Sequence, residues 1–343
     1  MRRLFVAGGA GFIGSNFIRY VLAERPDVSV VNFDALTYAG NADNLAGMDG
    51  DRRYAFVHGT ICDGDAVTAA IASCDAAVNF AAESHVDRSI DDASDFIETN
   101  VRGAYNVLAA ARDARVARVL HVSTDEVYGP ATRDHPRHED DAFRPRSPYA
   151  VSKAAGDMMC RAFADTHGLP VVVARPANNI GPYQHLEKAV PLFITNALDD
   201  QPLPLYGDGL QERDRLYVED NVRALLLLLE RGEPGEAYNI QAGNHRPNIE
   251  VATAILDMLD KPHTLVRHVE DRAGHDYSYW MDCQKVRALG WAPALDYDQA
   301  LERTVRWYVE NRWWWEKIKA GDFRRYYERQ YGDRLARAPL DTA

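Results

Sequence analysis

The sequence predicts an α/β fold in which helices cover both faces of a doubly wound parallel sheet. Short buried runs of β-branched or apolar residues alternate with helical patterns through the first half of the chain. A glycine-rich turn follows the first of these runs, and Pro-rich stretches replace the alternation after Arg175-Pro176. We therefore expect a larger lobe over residues 1–175. A smaller mixed α/β lobe over 176–343 follows, and it ends in a helical tail.

The elements follow in order along the first lobe. Strands are predicted at 3–7, 28–33, 53–58, 76–80, 119–123 and 171–174, and helices at 12–24, 100–112 and 149–166. One element near 217–231 is expected to return to this lobe, and the tail from 301 to 331 to be helical. Ligands of such sheets bind at the carboxyl ends of the strands. The glycine turn, Asp34 and the segments 81–84 and 124–126 all fall there.

Composition and charge narrow the class of function. The chain of 343 residues has a net charge of −12 and no basic run, which argues against nucleic acid or an anionic membrane as its main partner. Its four cysteines lie far apart without metal-ligand spacing, which predicts free thiols, no metal site and a cytoplasmic location. The most apolar run, 224–229, is too short to cross a bilayer.

The glycine turn indicates a dinucleotide site. Gly8, Gly11 and Gly14 would allow backbone N–H groups to approach a pyrophosphate at a helix N-terminus, although a purely structural turn has the same composition. Asp34, at the end of the second predicted strand, can accept hydrogen bonds from the adenosine ribose and would repel a 2′-phosphate. This favours NAD over NADP, and the alternative for Asp34 is an ordinary strand-end turn.

Tyr149 and Lys153 are typical of proton transfer at a hydroxyl group. Four residues apart on a helix, they share one face, and a nearby ammonium is expected to lower the pKa of the phenol. The phenol could then take a proton from a substrate hydroxyl. Such a pair also arises by chance on surface helices. Ser123 or Thr124 at the preceding strand end supports the catalytic interpretation.

Asp125 and Glu126 add chemistry that a simple alcohol oxidation does not need. On a regular strand they would face opposite ways, so both reach one substrate only if the strand ends near Thr124 and a turn follows. Two close carboxyl groups titrate apart, which provides an acid and a base for eliminating water. The alternative is a solvated acidic loop. Arg213 and Arg272 could grip a diphosphate in the second lobe or form surface ion pairs.

Taken together, these motifs resemble those of a known family. The chain is similar to the extended short-chain dehydrogenase/reductases, which have a Rossmann-type fold, and among them to the dTDP-glucose 4,6-dehydratases, from about residue 3 to residue 331. The segments that carry the resemblance are 8–15 (GGAGFIGS), 34–41 (DALTYAGN), 81–90 (AAESHVDRSI), 123–129 (STDEVYG), 147–153 (SPYAVSK), 178–183 (NNIGPY), Glu187-Lys188, Arg213-Asp214 and 274–276 (GHD).

The resemblance implies conversion of dTDP-glucose to a 4-keto-6-deoxy sugar on bound NAD, in a homodimer. Tyr149, with Lys153 and Thr124, would take the 4-hydroxyl proton, Glu126 would remove the C5 proton, and Asp125 would protonate the leaving C6 hydroxyl. The implied cofactor-binding residues are Gly8, Gly11, Phe12, Ile13, Gly14, Asp34, Thr37, Gly40, Thr60, Ile61, Ala81, Ala82, Thr99, Ser123, Tyr149 and Lys153. The implied substrate-binding residues are Ser84, His85, Thr124, Asn178, Lys188, Arg213, Arg272 and His275.

Four positions depart from the expected pattern. Ala7 replaces Thr, Thr60 replaces an Asp expected to contact adenine, Arg215 replaces Trp and Ala273 replaces Pro. Three alternatives stay open: a nucleotide-sugar 4-epimerase, the same dehydration of UDP-glucose, and a non-catalytic NAD-binding regulator. The adjacent Asp125 and Glu126 favour a dehydratase over an epimerase, and the intact Tyr149 and Lys153 argue against a regulator.

Overall fold

The computed structural model describes residues 1–338. Its strands are β1 (Arg3–Ala7), β2 (Ser29–Asp34), β3 (Tyr54–His58), β4 (Ala76–Asn79), β5 (Arg118–Val122), β6 (Val171–Pro176), β7 (Asn179–Ile180), β8 (Leu203–Tyr206), β9 (Glu212–Arg213), β10 (Leu216–Tyr217), β11 (Ala237–Ile240), β12 (Arg246–Pro247) and β13 (Val266–Val269). Its helices are α1 (Phe12–Glu24), α2 (Gly64–Ile71), α3 (Val86–Asp91), α4 (Ser94–Ile97), α5 (Ala104–Asp113), α6 (Pro148–His167), α7 (Ala189–Leu198), α8 (Val218–Arg231), α9 (Asn248–Met258), α10 (Gln284–Ala288), α11 (Tyr297–Glu310), α12 (Arg312–Ala320) and α13 (Asp322–Arg337). Short 3-10 turns lie at Ala42–Leu45, Asp125–Tyr128 and His263–Leu265, and a π-helical segment spans Glu98–Gly103.

A seven-stranded parallel sheet forms the first lobe, in the order β11-β6-β5-β4-β1-β2-β3. The chain builds outward from β1 to β3 and then crosses back to β4 on the other side of β1. This reversal opens a crevice at the carboxyl ends of β1 and β4, where ligands bind in such sheets. The predicted fold class is confirmed. The six predicted strands are present with ends shifted by at most two residues, and β11 is an additional strand.

Helices cover both faces of the sheet. On one face α1 and α8 pack together, and Phe17, Val21 and Leu225 are part of a fully buried core. On the other face α2, α5 and α6 bury a second core that includes Phe5 and Leu108. Because α8 lies against α1, the chain returns to the first lobe after β10. In the described part of the chain, no helix is long and apolar enough to cross a membrane.

The second lobe is a smaller α/β assembly with its own apolar core. Its helices are α7, α9 and α11 to α13, and its strands form small pairs, parallel between β8 and β13 and antiparallel between β9 and β12. Trp314 and Trp315 are fully buried in this core. The indole N–H of Trp314 donates to Asn44 Oδ1 at 2.8 Å, and this hydrogen bond joins the helical tail to the first lobe.

Local sequence explains why α6 begins where it does. Ser147 caps the helix by accepting a hydrogen bond from the Ala150 N–H, and Pro148 occupies the first turn, where its missing N–H is not needed. Gly168 ends the helix in the left-handed conformation with φ of 63°. These two ends place Tyr149 in the first turn of the helix, at the edge of the crevice.

A buried ion pair between α6 and β6 stabilises this arrangement. Arg175 donates to both carboxylate oxygens of Asp157, at 2.8 and 3.0 Å, and also to the carbonyl oxygen of Glu139. We expect Asp157→Ala to lower the free energy of unfolding by about 3–5 kcal/mol, because it leaves the guanidinium buried without its anion. Chemical denaturation measures this loss. Asp165→Ala breaks an exposed pair with Arg161 on the same helix and serves as the control. An equal loss in the two variants would contradict the prediction.

Candidate active site

The glycine turn after β1 leaves room for a ligand at the start of α1. Gly8 has φ of 76°, and a Cβ there would lie 2.5 Å from the Ala81 backbone nitrogen. A Cβ on Gly14 would lie 2.2 Å from the Gly8 carbonyl oxygen. Side chains are therefore excluded at both positions. The first-turn N–H groups of α1 have no partner within the helix, and Phe12 and Ile13 line the adjacent cleft.

Asp34 is placed at the end of β2 by two backbone hydrogen bonds. Its carboxylate accepts from the N–H groups of Ala10 and Leu36, each at 2.8 Å, and only 8% of the residue is exposed. Burial raises the pKa of the carboxyl group, and the two backbone N–H groups oppose that shift. A Cβ on Gly40 would approach one Asp34 oxygen to 2.8 Å, so a glycine at this position keeps the carboxylate accessible.

Strand β5 ends before Asp125 and Glu126, and the turn that follows allows both side chains to reach one cleft. Its last residue is Val122, and Thr124 caps the following 3-10 turn by accepting a hydrogen bond from the Glu126 N–H at 3.3 Å. The Thr124 hydroxyl lies 3.0 Å from Asp125 Oδ1 and donates to it. Both Asp125 and Glu126 line the same cleft, as the predicted turn requires.

Burial raises the pKa of both carboxyl groups, and different neighbouring charges then act on each of them. Burial, followed by the charge of Glu126, raises the pKa of Asp125 to about 8. Burial also raises the pKa of Glu126, but the charges of Arg272, Arg213 and Lys188 oppose that increase. At neutral pH the Asp125 carboxyl is therefore neutral, while the three cations act to favour the ionised form of Glu126. An acid and a base are available at one place.

Tyr149 and Lys153 lie one turn apart on α6, and both are buried. The Lys153 ammonium donates to the Val122 carbonyl oxygen at 2.7 Å, and burial lowers its pKa to about 8. The predicted lowering of the Tyr149 pKa is wrong for the protein alone. Burial and the charge of Glu126 raise this pKa, and the adjacent Thr124 hydroxyl only partly offsets the increase. The phenol therefore needs additional positive charge to act as a base.

The second lobe brings cations to the opposite wall of the cleft. The Lys188 ammonium donates to the Ser84 carbonyl oxygen at 2.6 Å, and Arg272 pairs with Asp87 at 3.3 Å. The guanidinium of Arg213 lies over the ring of Tyr279, 4.7 Å from its centroid. These positive groups make this wall suitable for a phosphate-bearing ligand.

One cleft of ≈ 360 Å³ between the lobes brings most of the predicted residues together. It is lined by Gly8, Gly11, Phe12, Ile13, Gly14, Ala82, Ser84, His85, Ser123, Thr124, Asp125, Glu126, Tyr149, Lys153, Asn178, Lys188, Arg213, Arg272 and His275. The predicted residues outside its lining are Asp34, Thr37, Gly40, Thr60, Ile61, Ala81 and Thr99. Their cofactor roles, like those of the lining residues, stay predictions.

The outlying residues other than Asp34 lie in three places. Thr37 and Gly40 belong to the loop after Asp34, where the Gly40 N–H donates to the Thr37 carbonyl oxygen at 3.0 Å. Ile61 is buried beside Gly103, and Thr60 caps the turn before α2 by accepting from the Cys62 N–H at 3.2 Å. Thr99 lies 3.8 Å from the Cys62 sulfur, and Ala81 contacts Gly8.

Several cleft residues were not predicted from the sequence. Asp87 holds Arg272 and accepts from the Tyr206 hydroxyl at 3.0 Å, and Tyr331 reaches the cleft from α13. Asn248 and Arg215 line the wall of the second lobe. Asp87 lies within the 81–90 segment that carries the resemblance, so its acidic side chain was a usable signal. Tyr206, Asn248 and Tyr331 belong to no motif and could not have been found in this way.

The fold and the site together define a class of protein, the enzymes that use NAD to modify sugars. Its features here are the parallel sheet with a glycine turn, the Tyr/Lys pair and the acid–base pair. Comparison with known proteins agrees with this class. Residues 5–304 match the family model described as GDP-mannose 4,6 dehydratase. The chain belongs to this family.

Over residues 1–338 no cluster of three or more His, Cys, Asp or Glu side chains could hold a metal ion.

Individual relatives include dehydratases of the kind that the motifs indicated. The chain is 47% identical to a dTDP-glucose 4,6-dehydratase of Streptomyces niveus, over 93% of this chain and 96% of the relative. It is 48% identical to a low-salt glycan biosynthesis protein of Haloferax volcanii, over 89% and 98% of the two chains. The crystal structure of a dTDP-glucose 4,6-dehydratase from Streptomyces venezuelae with NAD bound has a TM-score of 0.90 and 50% identity, and the match covers 92% of this chain and 100% of that one. The resemblance is thereby confirmed.

Proposed function

We propose that this protein is an NAD-dependent hydro-lyase that converts dTDP-glucose to dTDP-4-keto-6-deoxyglucose. The observation that carries the proposal is the pair Asp125 and Glu126 beside Tyr149 in one cleft. A pKa of about 8 keeps Asp125 neutral near pH 7, whereas cations of the second lobe favour the ionised Glu126. A 4-epimerase has no use for such a pair. Similarity to dTDP-glucose 4,6-dehydratases over most of both chains supports the same substrate.

The residues at the carboxyl ends of β1 and β2 fit NAD. The turn from Gly8 to Gly14 excludes side chains and leaves the N-terminus of α1 open for a pyrophosphate. The Asp34 carboxylate can accept hydrogen bonds from the adenosine ribose. When bound, NAD would provide the acceptor for a hydride from C4 and the donor of a hydride to C6, and its positive charge would favour an ionised Tyr149.

Tyr149 and Thr124 act on the 4-hydroxyl of the sugar. The Tyr149 phenolate takes the hydroxyl proton, and the Thr124 hydroxyl lies beside it. Lys153 donates to the Val122 carbonyl at the end of β5 and keeps its ammonium beside this site. The ketone formed at C4 then acidifies the proton on C5.

Glu126 and Asp125 remove water from the adjacent carbons. The Glu126 carboxylate takes the C5 proton, and the neutral Asp125 carboxyl gives its proton to the departing C6 hydroxyl. The Thr124 hydroxyl donates to Asp125 Oδ1 at 3.0 Å, which orients the acid. One C–H and one C–O bond break, a C5–C6 double bond forms and water leaves. When the hydride returns to C6, C5 takes up a proton, so no external reductant is consumed.

The cleft wall opposite the cofactor turn holds the nucleotide-sugar. Lys188 and Arg272 provide positive charge for the diphosphate, while Ser84, Asn178 and His275 offer polar contacts along the cleft. Burial lowers the pKa of His85 to about 3, so the His85 ring is neutral and acts as a hydrogen-bonding group. Arg213 and Thr124 are the remaining residues that we propose to contact the substrate.

Asp34 is expected to make the protein selective for NAD. A 2′-phosphate beside this buried carboxylate would meet a like charge, so NADP should bind much more weakly than NAD. We expect Asp34→Asn to reduce the ratio of NAD affinity to NADP affinity about tenfold, because it removes one charged contact. Titration of both cofactors measures the ratio, with the exposed Asp49→Asn as the control. Equal affinity of the parent protein for NAD and NADP would contradict this role.

A homodimer is the proposed assembly, and the cytoplasm the proposed location. Exposed apolar side chains lie on neighbouring helices of the first lobe: Ile97 at 56%, Tyr105 at 46%, Val151 at 52% and Met158 at 62% exposure. Val151 and Met158 are two turns apart on α6, so they share one face. A second copy of this chain would remove this apolar surface from water. The described cysteines are free thiols, which suits a reducing compartment.

Met158→Arg is expected to convert the dimer to a monomer. A charge at the centre of an apolar helix face opposes its burial against a second copy. Light scattering coupled to size-exclusion chromatography gives the mass. Met258→Arg is the matched control, because this exposed residue lies on α9 in the other lobe. A parent protein that is monomeric, or a Met158→Arg variant that stays dimeric, would exclude this interface.

The function is tested by incubating purified protein with dTDP-glucose, with and without added NAD, and recording the product by mass spectrometry. Loss of one water and formation of a 4-keto sugar are expected. A parallel reaction with UDP-glucose measures selectivity for the nucleotide. A product of unchanged mass that differs only at C4 would identify an epimerase instead.

A further inference from the structure

Arg215 is a buried cation on the cleft wall that none of the roles above uses. It lies directly before β10, and 5% of the residue is exposed. It lines the same cleft as Lys188 and Arg272. Burial lowers its pKa to about 10, so the guanidinium is still charged at neutral pH. The protein therefore holds a positive charge here at a cost in free energy.

Two other arginines of this region are paired with carboxylates, and Arg215 is not. Arg272 pairs with Asp87, and Arg146 pairs with Asp276 at 2.9 Å. Within residues 1–338, Arg215 makes no ion pair. Its Nη2 donates to the neutral side-chain oxygen of Asn248 at 2.6 Å, and its buried Nε has no hydrogen-bond partner. A buried guanidinium in this condition is stabilised when a ligand supplies the missing anion.

Arg213 is less available to such a ligand than Arg215. Its guanidinium donates to three backbone carbonyl oxygens, those of Glu212 at 2.7 Å, Asp276 at 2.9 Å and Tyr277 at 3.0 Å. A guanidinium has five N–H donors in a fixed plane, so these bonds commit much of Arg213 to holding the segment 276–277. Within residues 1–338, the Arg215 guanidinium makes one hydrogen bond, to Asn248.

We propose that Arg215 binds the diphosphate of the nucleotide-sugar beside Arg213, whose backbone contacts also hold the segment 276–277. Asn248 orients the Arg215 fork through its bond to Nη2. The ligand class follows from the chemistry, because a planar fork of N–H donors matches phosphate oxygens and an anion satisfies the buried charge. The inference rests on the proposed function, which places a nucleoside diphosphate in this cleft.

Calorimetric binding of dTDP and of thymidine to the holoprotein tests the role of Arg215. We expect Arg215→Gln to weaken dTDP binding about tenfold or more, with little effect on thymidine, because only dTDP carries the diphosphate. In turnover assays with dTDP-glucose, KM should rise by more than kcat falls. Arg246→Gln is the matched control. Arg246 is a nearby cation that donates to the His245 carbonyl, lies over the Tyr297 ring and is absent from the cleft lining.

Each outcome decides a separate point. Unchanged dTDP affinity in Arg215→Gln, or an equal loss in Arg246→Gln, would overturn the assignment. A parent protein that does not bind dTDP at all would instead contradict the proposed function. If thermal melting shows that Arg215→Gln does not fold, Arg215→Lys provides the same test. It keeps the charge but loses the fork, so its affinity for dTDP should fall while that for thymidine stays, and an unchanged dTDP affinity would again overturn the proposal.

Discussion

Asp125→Asn is expected to lower kcat about 10²–10⁴-fold, since general acid catalysis contributes rate factors of that order. Oxidation at C4 should persist, because Tyr149 and Lys153 are untouched. The reduced cofactor and the 4-ketone should therefore accumulate before water is lost. Rapid-quench mass spectrometry together with the absorbance of the reduced nicotinamide follows both steps.

The pH dependence gives this prediction a second readout. Asp125 must be protonated to act, and its pKa is raised to about 8, so the parent rate of water loss should fall as pH rises above about 8. This decline should be absent from the Asn variant. Asp134→Asn removes an exposed acid nearby and is the control. Parent-like turnover of Asp125→Asn would show that Asp125 is not the acid.

Burial of Asp125 also predicts how this variant changes stability. A raised pKa in the folded protein means that the folded state binds more protons than the unfolded chain between about pH 4 and pH 8. Stability is therefore lost as pH rises through this window. Asp125→Asn should remove that loss, so its melting temperature relative to the parent should be higher at pH 8.5 than at pH 5.

Glu126→Gln is expected to block proton removal at C5 and to lower kcat by about 10²–10⁴-fold. The amide is close in shape to the carboxylate but cannot accept the proton. In D₂O the parent protein should place solvent deuterium at C5, whereas the variant should oxidise C4 and leave the C5 proton unexchanged. Nuclear magnetic resonance of the sugar distinguishes these results. Normal deuterium incorporation at C5 in Glu126→Gln would assign the base to another group.

The positions of six strands along the chain and of the turn at Thr124 followed from local sequence. Buried runs bounded by glycine and polar residues define six strands without any tertiary information. The seventh strand, β11, is a four-residue run, Ala237–Ile240, that lies beside β6 only because α8 first returns the chain across the sheet. Such pairing depends on packing distant in sequence, and no local pattern reveals it.

The site shows a similar division between local and long-range features. The acid–base pair could be predicted because adjacent carboxyl residues at a strand end must share one turn. The contact of Asp87 with Arg272 joins residues 185 positions apart, and no motif spacing encodes it. The sequence also predicted the wrong sign for the Tyr149 pKa. Helical spacing reveals that Lys153 shares a helix face with Tyr149, but not the depth of burial that raises the pKa of the phenol.

The central claim is that Asp125 and Glu126 eliminate water while one hydride moves within the same sugar. The most direct measurement uses dTDP-glucose carrying deuterium at C4, without added cofactor, and locates the label in the product. We predict a product that lacks one water and carries the deuterium at C6. A 4-epimer of unchanged mass, or a 4-keto product in which the C6 label has been replaced by solvent hydrogen, would contradict the account.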